Sequence, residues 1–246
     1  MLDFTTCLTV DQQHAAELCI SYPTWVKYHP EIITKPMVVV YDPPGSNTYL
    51  PPLIRMLPPK TRFVPLTERY APDQRSHMLT ALVKKIPYEV ETPWLLKLDT
   101  DCLADATGIA WCEDWLIEDD PVFIASPWSY TKPADAINRL DAWADMQPVL
   151  CEMPPLRIRP AHKNDTKVRH KRIISWLFFG DAEWCREVAE FAGDEPLPVA
   201  SHDTYLWYCA ARLCDYYKTV RFTSLGWRHA SRHLAERAAE VMEDAA

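Results

Sequence analysis

The chain has 246 residues, 48% of them hydrophobic, and a formal charge of −8 at pH 7. Its length and apolar content suit one α/β domain with a sizeable core; the negative charge argues against a general binder of nucleic acid or anionic membranes, which needs a positive footprint. No stretch approaches the ~20 apolar residues of an integral membrane segment, and residues 1–30 lack a basic segment followed by a long apolar core, so a cytoplasmic location is expected.

Thr5 to Val10 reads as a short β-branched strand. Asp11 can cap a following helix to about His29, with Ala15, Leu18, Cys19 and Tyr22 spaced for one apolar face. Pro36 to Tyr41 is a buried strand stopped by the turn Asp42-Pro43-Pro44-Gly45. Tyr49 to Leu57 reads as a helix opened by prolines, Thr61 to Leu66 as a strand, Gln74 to Lys85 as a helix and Trp94 to Leu98 as a strand. Further on, helices are expected at Trp111–Ile117, Asp181–Ala192, His202–Leu213 and His229–Glu243. Strands are expected at Pro121–Ser126, Ile173–Phe179 and Val220–Leu225. Strand–helix–strand alternation implies parallel strands joined by right-handed crossovers. The expected fold is therefore α/β: an open, mainly parallel twisted sheet flanked by helices, with a Rossmann-like nucleotide-binding half. Residues 1–246 form one domain, with a nucleotide-binding half at 1–103 and an acceptor-side half at 104–246.

The eight cysteines are scattered with no C-x-x-C pair, so neither a zinc ribbon nor a thioredoxin-type site is indicated; they read as buried, reduced thiols. Only five glycines occur, and no glycine-rich phosphate loop, dinucleotide fingerprint or nucleophile elbow is present.

In open parallel sheets ligands bind beyond the carboxyl ends of the strands. Thr9 and Asp11, Asp42, Asp99 and Asp101, and Ser126 lie at such ends. In Trp94-Leu95-Leu96-Lys97-Leu98-Asp99-Thr100-Asp101, strand alternation aims both carboxylates the same way. They repel unless a cation lies between them, and Mg²⁺ or Mn²⁺ is the hard, oxygen-preferring candidate. The alternative is a pair of turn-forming Asp residues. Recurrent acidic groups suit a metal-bridged phosphate and hydroxyl-rich ligands. Arg75 and His77 precede the central strand and are candidates for donor contacts. Residues 156–172 carry Arg157, Arg159, Lys163, Lys167, Arg169, Lys171 and Arg172 against Asp165. That stretch reads as a solvated loop, or as a cover for a diphosphate that also attracts an anionic acceptor.

Five segments, in order, resemble GT-A-type nucleotide-sugar glycosyltransferases over nearly the whole chain. They are Val38-Val39-Val40-Tyr41-Asp42, Leu96 to Asp101, Phe178-Phe179-Gly180-Asp181, Ser201 to Trp207, and Gly226-Trp227-Arg228-His229. The resemblance implies a GT-A-like fold in which Asp42 contacts the base and Asp99 lies near the ribose or the metal. It implies that Asp101 and His229 ligate Mn²⁺ or Mg²⁺ and that Asp42, Asp99 and Asp101 bind the donor, with Thr9 and Arg75 as further donor-binding candidates from their positions. Gly180, Asp181 and His202 would line the acceptor side, and Asp203 would be the general base. The implied activity is metal-dependent transfer of a sugar from a UDP- or GDP-sugar to an acceptor hydroxyl, with inversion.

His202 stands where the family usually has Glu, and Asp203 at a helix start is also a capping carboxylate. His233, four residues beyond His229, competes with it as a ligand. Two other readings compete. A haloacid-dehalogenase-type phosphohydrolase would use Asp99 as nucleophile and Asp101 as general acid, with Ser126, Lys163 and Gly180-Asp181 as later motifs. Against it, Cys102-Leu103 departs from that family's motif and no acidic partner follows Gly180-Asp181. The third reading is a non-catalytic nucleotide-sugar binder.

Overall fold

The computed structural model describes residues 3–42, 49–104, 124–127, 177–193, 219–222 and 227–229, with 124–127, 219–222 and 227–229 described by their backbone. Strand β1 (Phe4–Val10) is buried at every position, as a strand covered on both faces must be. Helix α1 (Gln12–Tyr28) follows, capped by Asp11, whose Oδ1 accepts the His14 amide at 2.9 Å. A short helix α2 (Pro30–Thr34) leads into β2 (Met37–Tyr41). Then come α3 (Leu50–Met56), β3 (Arg62–Pro65), α4 (Arg75–Lys85) and β4 (Trp94–Leu98). Short 3₁₀ turns at Pro72–Gln74 and Ile86–Glu89 flank α4, and β5 (Cys102–Ala104), β6 (Ile124–Pro127), β7 (Leu177–Asp181), α5 (Ala182–Ala192), β8 (Thr219–Phe222) and β9 (Trp227–His229) follow.

Among the described residues, seven strands form one sheet in the order β3-β2-β1-β4-β7-β6-β8, and β5 pairs with β9 in a second, two-stranded one. β1 is parallel to both β2 and β4, β2 to β3, and β6 to β8, whereas β7 is antiparallel to β4 and β6. The protein is thus an α/β structure with an open, mainly parallel sheet, and only β7 opposes the common direction.

Alternation along the strands divides the core between the two faces of the sheet. On one face Leu8, Val10, Val39, Leu96, Leu98 and Phe179 pack with Leu18 and Trp25 of α1, Ile32 of α2 and Leu53 of α3. On the other, Cys7, Val38, Val40, Leu95 and Phe178 meet Leu82 and Val83 of α4 and Trp184, Cys185 and Val188 of α5. Each fully buried Leu or Ile contributes about 1.5–3 kcal/mol of apolar transfer.

Most expected elements are present within a few residues of their expected bounds. Ala15, Leu18 and Tyr22 of the α1 stripe are buried. The strand expected at Ile173–Phe179 is observed at Leu177–Asp181. Trp227–His229 is a strand whose backbone pairs with Cys102–Ala104, so His229 ends a strand; the helix expected over His229–Glu243 otherwise lies outside the described residues. Neither three-residue partner carries a strand signal alone; each exists because the other supplies its hydrogen bonds. The helices expected at Trp111–Ile117 and His202–Leu213, and the basic stretch 156–172, lie outside the described residues.

Candidate functional site

The strand order places a topological switch point between β1 and β4. The chain moves outward from β1 through β2 to β3, then returns by α4 to lay β4 on the other side of β1. The crossovers therefore leave β1 in opposite directions, opening a crevice at the carboxyl ends, where α/β proteins bind ligands. Asp11 follows β1, Asp42 follows β2 and Asp99-Thr100-Asp101 follow β4, so the sheet brings these four carboxylates to one end.

Asp11 is 6% exposed and occupied on both oxygens. Oδ1 accepts the His14 amide, while Oδ2 accepts from Arg75 Nε at 3.0 Å and lies 2.8 Å from its second guanidinium nitrogen. Burial pushes this carboxyl up, but the hydrogen bonds and charge of His14 and the Arg75 guanidinium outweigh it and hold the group well below the usual range. Arg75, the first residue of α4, is thereby tied to the end of β1 while its side chain remains 45% exposed. Asp42 accepts a hydrogen bond from the Tyr49 hydroxyl. Burial raises the Asp42 carboxyl above its ordinary range, opposed by that bond and assisted by the Asp11 charge. Thr9 is buried near the end of β1, in register with Val40. His77 is exposed on α4.

The Asp99-Thr100-Asp101 turn is gripped from two directions. Lys97, fully buried in β4, pairs with the half-buried Asp99 through its ammonium. Helix α1 holds the rest of the turn: Thr100 Oγ1 donates to Glu17 Oε2 at 2.6 Å, and Ser21 Oγ donates to the Thr100 carbonyl. Beyond it, Trp25 Nε1 donates to the Cys102 carbonyl at 2.6 Å, and the Ala104 amide donates to Thr24 Oγ1 at 2.9 Å. Asp101 is 8% exposed. The β5–β9 ladder places His229 opposite Cys102, one residue from Asp101 along the backbone. His229 is the last residue of β9, and His233 lies outside the described residues.

No three His, Cys, Asp or Glu side chains converge as a metal cluster among the described residues. Mg²⁺-type sites, however, use one or two carboxylates completed by substrate phosphates and water. A buried Asp101 beside a turn with both neighbours fixed is an oxygen donor of that kind, so the residues present fit such an ion.

Gly180 and Asp181 are placed elsewhere. They register with Leu95 and Trp94, at the amino end of β4 and about 13 Å of strand from its carboxyl end. Asp181 caps α5, accepting the Trp184 amide at 2.8 Å, and a Cβ on Gly180 would meet Cys185 Sγ at 2.6 Å. Both residues thus serve the packing of α5 against the sheet, because the antiparallel run of β7 carries its carboxyl end away from the crevice. Ser126 lies in β6. His202, Asp203 and Lys163 lie outside the described residues.

Sequence reasoning passed over Glu17, Ser21, Thr24, Lys97 and Tyr49. The first three carry a readable signal, polar residues at helical spacing on α1. Lys97 was visible as a charge inside an otherwise apolar strand.

No protein-family model matches the chain, and no curated protein matches it in sequence. Among solved structures, it is similar to the mannosyltransferase PcManGT from Pyrobaculum calidifontis in complex with GDP-Man and Mn²⁺, at 16% identity and a TM-score of 0.48. The match covers 90% of this chain and 54% of that one, so the chain spans about half the length of that protein.

Proposed function

We propose that the protein is a metal-dependent, GT-A-type glycosyltransferase that moves a sugar from a UDP- or GDP-sugar to an acceptor hydroxyl with inversion. One observation carries this reading: the Asp99-Thr100-Asp101 turn and the carboxylates Asp11 and Asp42 share the carboxyl end of the sheet, at its switch point. Thr9 and Asp42 would bind the nucleoside, Asp99 the ribose, and Arg75, anchored by Asp11, the diphosphate. Asp101 and His229 would hold Mn²⁺ or Mg²⁺, which when bound would neutralise charge on the departing diphosphate. Asp203 would accept the proton of the attacking acceptor hydroxyl, with His202 beside it in sequence. The basic stretch 156–172 would cover the diphosphate and favour an anionic acceptor.

The two halves, 1–103 and 104–246, would form one domain acting in the cytoplasm. No described helix is long and apolar enough to cross a membrane.

Thermal stabilisation by UDP and GDP with and without Mn²⁺, followed by donor hydrolysis, tests the reading. Stabilisation that requires metal and disappears in Asp101→Ala is expected, together with sugar release from the donor. Phosphatase activity without nucleotide stabilisation would select the phosphohydrolase reading instead, and metal-dependent binding without sugar release would indicate a binder.

A further inference from the structure

We propose that Glu17 is a positioning residue for the metal-binding turn, acting through Thr100; this rests on the reading of Asp101 as a metal ligand. Glu17 lies within α1 and is 3% exposed. Burying a carboxylate carries a desolvation penalty of several kcal/mol, and its neighbour Leu18, with Tyr22 and Trp25, packs into the apolar core. A leucine there would satisfy packing alone. What Glu17 adds is an acceptor: its Oε2 accepts a hydrogen bond from the Thr100 hydroxyl, with the two oxygens 2.6 Å apart.

Thr100 is 1% exposed and is held twice, by its side chain on Glu17 and by its carbonyl on Ser21. It is the residue between the two carboxylates, so clamping it sets the direction in which Asp101 leaves the strand. The clamp continues along one face of α1. Ser21, Thr24 and Trp25 follow Glu17 by four, seven and eight positions, and Thr24 and Trp25 hold β5 at Ala104 and Cys102. Since β5 pairs with β9, the same helix face sets the register that brings His229 beside Asp101. The helix itself is anchored at its amino end by the Asp11 cap. One helix therefore links the Arg75 side of the crevice to the carboxylate side.

Outer hydrogen-bond partners of metal ligands typically contribute 10–100-fold to metal affinity. The test is Mn²⁺ affinity of the full chain with UDP or GDP present, read from the electron-paramagnetic signal of free Mn²⁺, beside the thermal midpoint of each variant. Glu17→Leu, which removes the acceptor, and Thr100→Val are expected to weaken Mn²⁺ binding about 10–100-fold, and the double variant no further, because both break one link. Thr100→Ser keeps the hydroxyl and is expected to retain wild-type affinity. If Glu17→Leu does not fold, the contrast between Thr100→Val and Thr100→Ser carries the test alone. Wild-type Mn²⁺ affinity in folded Glu17→Leu or Thr100→Val, with only a lowered midpoint, would overturn the positioning role while Asp101→Ala still abolishes binding. Binding unaffected by Asp101→Ala, or none in the wild type, would overturn the metal reading and this inference with it.

Discussion

Lys97 and Asp99 form an ion pair along a single strand, the ammonium reaching from a fully buried position to the carboxylate where β4 ends. Two residues apart on an extended chain, they lie on the same face of the sheet, the face covered by α4 and α5. The pair gives the crevice a fixed internal cation and distinguishes the two carboxylates of the turn. Asp99 is engaged by Lys97, whereas Asp101 follows a residue held by Glu17.

Removing one member of a buried pair leaves the other charge exposed to a low dielectric, at about 3–5 kcal/mol. Asp99→Asn, which removes the carboxylate charge from beside the fully buried ammonium, is expected to cost up to that much. Lys97→Met is expected to cost less, since Asp99 keeps 22% of its side-chain exposure. The double variant should be more stable than the sum of the single losses. Urea denaturation of the four proteins measures the coupling, and additive losses would contradict it.

The Asp11 carboxyl predicts an acid limb. Its folded pKa lies below the ordinary Asp value of about 3.9, so the unfolded chain binds more protons between those two values. Stability contributed by this group is full above the ordinary value and is lost as pH falls toward the folded one. Asp11→Asn keeps a capping oxygen but not the charge facing His14 and Arg75. It should be less stable than wild type near pH 7, with the gap closing in acid. Asp11→Ala loses the cap as well, at about 1 kcal/mol more. Thermal midpoints from pH 7 downward distinguish the three.

Gly180 allows α5 to approach the sheet. Gly180→Ala places a methyl 2.6 Å from Cys185 Sγ in a buried layer, an overpacking expected to cost about 1–3 kcal/mol. Cys185→Ala removes the offending sulfur, so adding it to Gly180→Ala should restore part of the loss. No effect of Cys185→Ala in the Gly180→Ala background would refute the steric account. Nucleotide binding is expected to persist in the folded single variant, because Gly180 lies at the opposite end of β4 from the crevice.

The elements legible in the sequence are those whose signal is local. The strand at 94–98 is bounded by its own apolar run, and α1 is opened by a capping Asp and carries an apolar stripe. Periodicity suffices there because burial of one face is the same requirement wherever the partner layer comes from. Asp11, Asp42, Asp99 and Asp101 could be assigned to strand ends by the same logic, since parallel strands must present their carboxyl ends together.

The α/β alternation and the gathering of carboxylates at one end of a mainly parallel sheet follow from local patterns in the chain. The remaining features depend on contacts between distant segments. Strand order created the switch point between β1 and β4; the direction of β7 put Gly180 and Asp181 at the far end. Pairing across more than a hundred residues made strands of Cys102–Ala104 and Trp227–His229. Glu17 and Thr100 lie 83 residues apart, and Trp25 and Cys102 lie 77 apart. Side-chain pairing over such separations leaves no periodic trace in a single sequence, because each partner satisfies a local pattern of its own. Their meeting depends on how α1 crosses the sheet, and only the folded chain specifies that crossing.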